Sequence, residues 1–395
     1  MKNILIIHPA LVVGGAETVL INYLKILSKL DKKYNTTLLL IEDRVNFNIN
    51  EIPKNIKVEF ILSDVESEFF IYSFLNLKKE NNNYYSAWFN GIKNRIDQRI
   101  LKKINSTNFD IIIDFHRNIS SFDHFMNHFD ISKNIKKIYW IHSQYLLDCW
   151  IKDKSYYSFI LSKYDKFISI NNNMLNSCNQ ILKEFNIGNK SSYFLYNPLD
   201  IERIKEKSLI TLSEDQKLLD NDFILQVSRL DAGKNHIEMI DIFHALKQKG
   251  IKEKLYIIGE GNTEQLEARI QELNLEEECF LLGRRDNPFP FMKKAKLFIH
   301  TSLFEGLAMV LIESMVCGTP VVAYDCPTGP KEVLGDGKYG EIIPLHDKEK
   351  FIEAAYQLLT NENKRQSYIS LLPEAIQRFS FQSIGEQLEQ ILDNA

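Results

Sequence analysis

The chain has 395 residues and a net charge of −4, with 45% hydrophobic and 25% charged residues, which leaves room for two to three domains that each bury a core. This is the profile of an ordinary soluble globular protein, no apolar run approaches the ~18 residues of a membrane-spanning helix, and no nucleic-acid partner is expected. The net charge hides an asymmetry, +5 over residues 1–200 and −9 over 201–395, which suggests that the basic half meets an anionic partner.

The opening "MKNILIIHPALVVGGAE" superficially resembles a signal peptide, but His8 and Pro9 break the apolar stretch and no small-x-small cleavage site follows. It reads instead as a first β-strand, followed by an amphipathic helix over Ala16–Leu30 and a second strand in "TTLLLIED". "FDIIIDF" (109–115), "KKIYWIH" (136–142) and "KFISI" (166–170) continue the alternation, each a short apolar run followed by a helical stretch. Near-continuous Ile, Leu and Phe mark strands buried on both faces, so the pattern implies a doubly wound parallel sheet. After "SYFLYNPLD" (192–200) the pattern breaks, and the polar stretch 201–222 reads as a linker. A second series begins with "FILQVS" (223–228), a helix over 234–249 closed by Gly250, "KLYIIG" (254–259) and "CFLLG" (279–283). It continues with "KLFIHTS" (296–302), a helix over 307–316, "PVVAY" (320–324) and "GEIIP" (340–344), after which 347–392 reads as helices only. The expected architecture is α/β: two Rossmann-like lobes, 1–200 and 223–378, with a cleft between them and a last segment, 379–395, packing back toward the first lobe. Ligands are expected at the carboxyl ends of the strands.

The five cysteines (Cys149, Cys178, Cys279, Cys317, Cys326) show no CxxC pair or regular spacing, which argues for reduced thiols in a cytosol and not for disulfides or zinc. Four strand-to-helix junctions carry residues that a purely structural loop does not need. In "HPALVVGGAET", Gly14 and Gly15 precede a helix, so backbone N–H groups and the helix N-terminus can face an anion. The dehydrogenase fingerprint GxGxxG is absent, and a bare turn is the alternative reading of the pair. In "VSRLDAGKNH", Arg229 ends a strand and Lys234 opens the next helix, where a cation opposes the macrodipole; something anionic is expected to offset it. In "LLGRRDNPFPFM", Arg284 and Arg285 border the same region or simply flank a turn forced by Asn287-Pro288. In "TSLFEGLAMVLIESMVCGTP", Glu305 lies before a helix, Gly306 permits close backbone approach, and Glu313 interrupts an apolar helix. A buried carboxylate such as Glu313 must be paired, protonated or bound to ligand hydroxyls. His142 ends a first-lobe strand, as a structural hydrogen-bonder or a group beside the reaction.

Taken together, "VVGGAET", "SRLDAGKNH", "IIGEG", "LLGRRDNPFPFM" and "FEGLAMVLIESMVCGTPVVAYDCPTGPKEVL" resemble glycosyltransferase family 4, the retaining sugar-nucleotide transferases of the GT-B fold. The likeness spans roughly 1–25 and 138–345 in the right order, and its last segment looks most like enzymes of bacterial capsule, lipopolysaccharide or lipid-linked oligosaccharide synthesis. The resemblance implies that Arg229 and Lys234 bind the donor diphosphate, and that Glu305 contacts hydroxyls of the transferred sugar. It further implies the amides of Gly306 and Leu307 near the phosphates, Glu313 on the ribose, Gly14 and Gly15 closing over the phosphates, and His142 near the reacting sugar. Arg284 is added to the donor-binding set. The donor would be a nucleotide sugar, UDP by preference, and the acceptor a glycan or lipid-linked saccharide. No cofactor and no metal are expected, because Arg and Lys supply the positive charge; the DxD at Asp220–Asp222 reads as solvated. Ala308 departs from the family, in which Pro, Gly or Ser is common at that place.

Residues 84–107, "YYSAWFNGIKNRIDQRILKKINST", form the most basic stretch, with Trp88, Ile92, Ile96, Ile100 and Ile104 at helical spacing. The stretch is either a surface helix with its stripe on the core or a basic amphipathic helix that docks on an anionic membrane face. The expected location is therefore cytoplasmic, with a peripheral association at the inner face of the cytoplasmic membrane. The competing functional readings are an epimerase or hydrolase on the same fold, a non-catalytic nucleotide-sugar binder, and an oxidoreductase, the last disfavoured by the missing GxGxxG.

Overall fold

The computed structural model describes residues 1–12, 14–43, 49–80, 83–115, 121–210 and 213–394, without the side chains of 74–80, 83–88 and 121. The chain divides into two compact units, 1–198 with 384–395, and 199–383.

Among the described residues of the first unit seven strands form one parallel sheet: β1 (Lys2–His8), β2 (Tyr34–Leu40), β3 (Lys57–Phe60), β4 (Ile111–Asp114), β5 (Lys136–Ile141), β6 (Lys166–Ser169) and β7 (Ser191–Phe194). Their order, β3-β2-β1-β4-β5-β6-β7, reverses direction between β1 and β4. That is the topological switch point at which ligands bind in doubly wound sheets. The apolar runs seen in the sequence are buried on both faces: Ile4–Ile7, Ile111–Ile113 and Ile138–Ile141 are each at most 2% exposed. Helices α1 (Gly15–Lys29), α2 (Asp64–Glu80), α3 (Asn83–Ser106) and α4 (Ser121–His128) follow in the first half of this unit. The stripe Ile92, Ile96, Ile100 and Ile104 of α3 is buried in the core, and Arg95 and Arg99 on the same helix pair with Glu66 of α2. The apolar stripe Ile92–Ile104 is therefore already occupied by protein; Trp88 lies outside the described side chains.

The described residues of the second unit hold a six-stranded parallel sheet: β8 (Phe223–Val227), β9 (Lys254–Ile258), β10 (Cys279–Gly283), β11 (Leu297–His300), β12 (Val321–Asp325) and β13 (Glu341–Pro344). The order β10-β9-β8-β11-β12-β13 puts its switch point between β8 and β11. The stretch 201–222 carries short helices at Ile201–Lys207 and Gln216–Leu219 and is tied to the second unit. Asp215 pairs with Arg285 at 3.1 Å, and Asn287 donates to the Lys207 carbonyl at 2.9 Å.

The last helix, Phe381–Asp393, ends against the first sheet. Lys2 Nζ donates to the Leu392 carbonyl (2.8 Å), Lys166 Nζ to that of Ile391 (2.9 Å), and Tyr34 Oη to the Asp393 carboxylate (2.6 Å). Two ammonium groups thus satisfy carbonyls that a helix C-terminus leaves without intrahelical partners, where the macrodipole is negative. Lys166 is buried and its amine is pushed below its ordinary range by that burial.

Candidate active site

The site is built at the switch point of the second sheet. After β8 the chain turns through 228–235. The Asp231 carboxylate accepts the Gly233 N–H at 3.0 Å and closes a single 3-10 turn over Ala232–Lys234. Asn235 then adopts a left-handed conformation (φ +55°), and the helix begins at His236. Lys234 consequently lies in the turn before the helix and not at its first residue; the side-chain-capped turn wins over helix extension. Its expected anionic partner is intramolecular: Lys234 Nζ stands 2.6 Å from Glu305 Oε1. Arg229 is different, with its side chain 78% exposed and 3.4 Å from Asp231.

Glu305 arrives from β11 through a loop clamped to residues 327–329. Its N–H donates to the Pro327 carbonyl (2.9 Å), and the Thr328 hydroxyl is shared between the carbonyls of Glu305 (3.0 Å) and Gly306 (2.9 Å). Gly329 (φ +96°) makes the approach possible, since a Cβ there would come within 2.9 Å of the Gly306 carbonyl oxygen. Ala308 is left-handed (φ +55°), so the next helix is Met309–Val316, shorter than the expected 307–316. The amides of Gly306 and Leu307 belong to the loop.

His300, the last residue of β11, completes the cluster: its Nε2 lies 2.9 Å from Glu305 Oε1. Gln226 of β8 donates to His300 Nδ1 at 3.3 Å, which places the ring proton on Nε2, where it is donated to Glu305. Among the described residues none hydrogen-bonds Glu305 Oε2. Burial pushes this carboxyl up, but the His300 hydrogen bond and the Lys234 ammonium outweigh it and hold the group at about 2. Glu305 is therefore a permanent anion with one oxygen held and one available, able to accept hydroxyl hydrogens and unable to act as an acid near neutrality.

Glu313, about one turn into its helix, contrasts with it. It is half-buried, no described residue hydrogen-bonds its carboxyl, and burial pushes it up to about 7. Of the three solutions open to a carboxylate in an apolar helix, an ion pair inside the protein is not the one adopted among the described residues.

Other expected members lie apart. Arg284 follows β10 at the edge of the sheet, half-exposed, and pairs with Asp286 (3.3 Å) and Glu260 (3.6 Å). Arg285 is structural, bound to Asp215 and the Leu282 carbonyl. A pocket of about 370 Å³ opens beside the 228–235 turn, lined among others by Asp231, Asn235, His236 and Asn262. His236 there is paired with the Ser228 hydroxyl (3.0 Å) and pushed down by burial to about 4, so it is neutral at physiological pH. Gln226 and His300 went unnoticed in the sequence. The signal was available, a polar residue at the carboxyl end of an otherwise apolar strand, which is the criterion that singled out His142.

In the first unit Gly14 caps α1 in extended conformation and Gly15 is the first helical residue, both after β1. The buried Glu17 carboxylate sits over the glycine loop, close to where a Gly14 Cβ would be and 3.9 Å from His8 Nε2. An acid in the first turn complements the helix macrodipole, so Glu17 already occupies the position an anion would take. His142 follows β5, with its ring 4.7 Å from that of Phe115 and near-parallel to Trp140.

Two doubly wound parallel sheets, one in each unit, are the layout of the GT-B class of glycosyltransferase folds. Residues 210–370 of the chain match the model of the family described as "Glycosyl transferases group 1". The N-acetylgalactosamine-N,N'-diacetylbacillosaminyl-diphospho-undecaprenol 4-alpha-N-acetylgalactosaminyltransferase of Campylobacter jejuni is 37% identical over 206 residues, 52% of this chain and 54% of that protein. The match thus spans about half the length of this relative. Among solved structures, the apo lipopolysaccharide outer core galactosyltransferase WaaB superposes over 100% of both chains, with a TM-score of 0.69 at 19% identity. Anabaena HepE in complex with UDP also covers 100% of both, with a TM-score of 0.69 at 18% identity. At these identities the structural likeness concerns the fold.

Proposed function

We propose that the protein is a retaining glycosyltransferase that moves a hexose or N-acetylhexosamine from a nucleotide sugar, UDP by preference, to a glycan or lipid-linked acceptor in bacterial surface-glycan synthesis. The observation that carries this reading is the cluster at the β8/β11 switch point, where Lys234, His300 and Glu305 converge within 2.9 Å. Cleaving a glycosyl–phosphate bond leaves negative charge on the departing diphosphate and positive charge on the sugar, and preorganised groups of opposite sign are what stabilise both. Lys234, and Arg229 swinging from its exposed position, neutralise the diphosphate without a divalent metal. The free oxygen of Glu305 accepts sugar hydroxyls, and the loop amides of Gly306 and Leu307 face the phosphates. Glu313 takes the ribose hydroxyls. In the first unit Gly14 and Gly15 close on the phosphates as Glu17 turns aside, and His142 lies beside the reacting sugar. Transfer proceeds on one sugar face, with a donor phosphate oxygen accepting the acceptor's proton. The diphospho-undecaprenol saccharide in the Campylobacter relative's name and the UDP held by HepE support the substrate classes.

The chemistry is tested by supplying a panel of nucleotide sugars and lipid-linked acceptors. Free nucleoside diphosphate that appears only when an acceptor is present supports transfer. Release without acceptor turns the reading to a hydrolase, and stabilisation by nucleotide sugars with no turnover turns it to a binding protein. For the membrane we assign α2: Val65, Phe69 and Tyr72 are exposed there, beside a largely apolar pocket of about 520 Å³ rimmed by the Arg95–Glu66 ion pair. Flotation with anionic vesicles that Val65→Glu abolishes supports this, and no flotation of the wild type removes it.

A further inference from the structure

We propose that Asp97, His124 and His128 in the first unit form a binding site for one divalent ion of the Zn²⁺ type, which fastens α4 to α3. The two histidines lie one turn apart on α4 and share a face, with ring centroids 4.2 Å apart. Asp97 reaches them from α3, and one donor atom from each residue falls within 4.8 Å of the other two. Asp97 is only 1% exposed; its Oδ2 meets His124 Nδ1 at 2.7 Å, while its Oδ1 is buried with no hydrogen-bond partner among the described residues. A buried carboxylate oxygen left unsatisfied is costly, and a cation held by both carboxylate oxygens satisfies it while engaging Oδ2. His128 Nδ1 donates to the His124 carbonyl at 2.7 Å, a bond that orients the ring and leaves Nε2 as the nitrogen for a metal, as is usual for metal-bound imidazole. The competing cation is Lys93, one turn before Asp97, whose ammonium rests over the Phe89 ring at 4.5 Å.

The donor set also chooses the ion. Two imidazoles and one carboxylate suit Zn²⁺, Co²⁺ or Ni²⁺, whereas Ca²⁺ and Mg²⁺ require six or more oxygens. Zn–N and Zn–O distances near 2.0–2.1 Å place neighbouring tetrahedral donors ~3.4 Å apart. The contact between Asp97 and His124 must therefore open by about 0.7 Å as the ion replaces the bridging hydrogen and that proton moves to His124 Nε2. Water takes the fourth position. The site lies outside the donor cluster, so it adds stability to the first unit and supplies no charge to the transfer.

The test uses untagged full-length protein, stripped with a chelator and desalted, and titrated with Co²⁺ and with Zn²⁺. One equivalent of Co²⁺ should bind with visible d–d absorption and no thiolate charge-transfer band, and Zn²⁺ should raise the thermal midpoint. His128→Ala changes an exposed residue, so its metal-free midpoint should equal that of the metal-free wild type, with Zn²⁺ affinity at least tenfold weaker. Asp97→Asn should also abolish the Co²⁺ spectrum. The proposal is overturned by absence of stoichiometric binding, by a thiolate band that assigns the ion to the cysteines, or by unchanged affinity in His128→Ala.

Discussion

Glu313 offers the most direct test of the donor site, because its proton should respond to the nucleotide. Burial holds its carboxyl at about 7 against an ordinary 4.5, so at neutrality about half of the molecules carry a neutral acid there. Ribose hydroxyls are best held by the ionised form, which accepts two hydrogen bonds. If binding returns the group to its ordinary value, affinity for a uridine nucleotide rises roughly tenfold from pH 6 to pH 8, and about half a proton is released per binding event at pH 7. The nucleotide's terminal phosphate titrates in the same range, with a second pKa near ~6, so the protein's share is isolated by comparing Glu313→Gln, which cannot ionise. Titration calorimetry in two buffers of different ionisation enthalpy measures the proton count directly. Equal proton release and equal pH slopes in wild type and Glu313→Gln would refute the assignment of Glu313 to the ribose.

The same substitution predicts a stability change of opposite sign. A carboxyl whose folded pKa is raised contributes stability that is present below about pH 4.5 and lost as pH rises toward 7. Ionising it costs the folded state up to about 3 kcal/mol, less in proportion to its partial solvent access. Ligand-free Glu313→Gln should therefore be more stable than wild type at pH 8 and little changed at pH 5, read from thermal midpoints across that range.

Glu305→Ala should chiefly lower turnover while Glu313→Ala chiefly weakens donor binding; kinetics unperturbed in both variants would show the roles to be wrong. His300→Ala removes a hydrogen bond to a charged group, worth about 1.5–3 kcal/mol, and should reduce kcat/KM by roughly ten- to hundredfold. Because Glu305 titrates below its unfolded value, its contribution is present above about pH 4.5 and lost as pH falls toward 2. Without His300 the folded carboxyl rises back toward its ordinary range, so this contribution should be smaller and fully lost at a higher pH, which denaturant titrations of His300→Ala across that pH range detect. Ala308→Gly relieves a left-handed alanine, a strain of about 1–2 kcal/mol, against a gain of about 0.4–1 kcal/mol in unfolded-chain entropy. Its expected net effect in denaturant titration is a stabilisation between zero and about 1.5 kcal/mol, and a clear destabilisation would count against it.

The parts of the fold that were legible in the sequence are those whose signal is local. A strand buried on both faces must be apolar along its whole length, so β1, β4, β5, β8 and β11 stood out as runs such as "ILII" and "LFIH". β3 (Lys57–Phe60) did not, because an edge strand with burial on few of its residues carries a mixed sequence, "KVEF". The segment 201–222 misled for a related reason: its two helices are anchored by Asp215–Arg285 and Asn287–Lys207, contacts 70 and 80 residues apart that no local pattern announces.

The site shows the same division more sharply. Lys234 could be recognised as a cation in need of an anion, but the identity of that anion depended on which strand lies beside β8. The sheet order supplies it by setting β11 next to β8, which brings Glu305 from 71 residues away to 2.6 Å. The same adjacency recruits Gln226 and His300, one on each of the two strands, to hold Glu305 ionised. Glu313 needed no such partner to be noticed, since a carboxyl in "MVLIESMV" conflicts with its neighbours within the helix itself. One acid is thus fixed as an anion by side chains from two strands, and the other is left near its titration point by the lack of them. That difference is encoded in topology, and it leaves two glutamates eight residues apart with opposite titration behaviour.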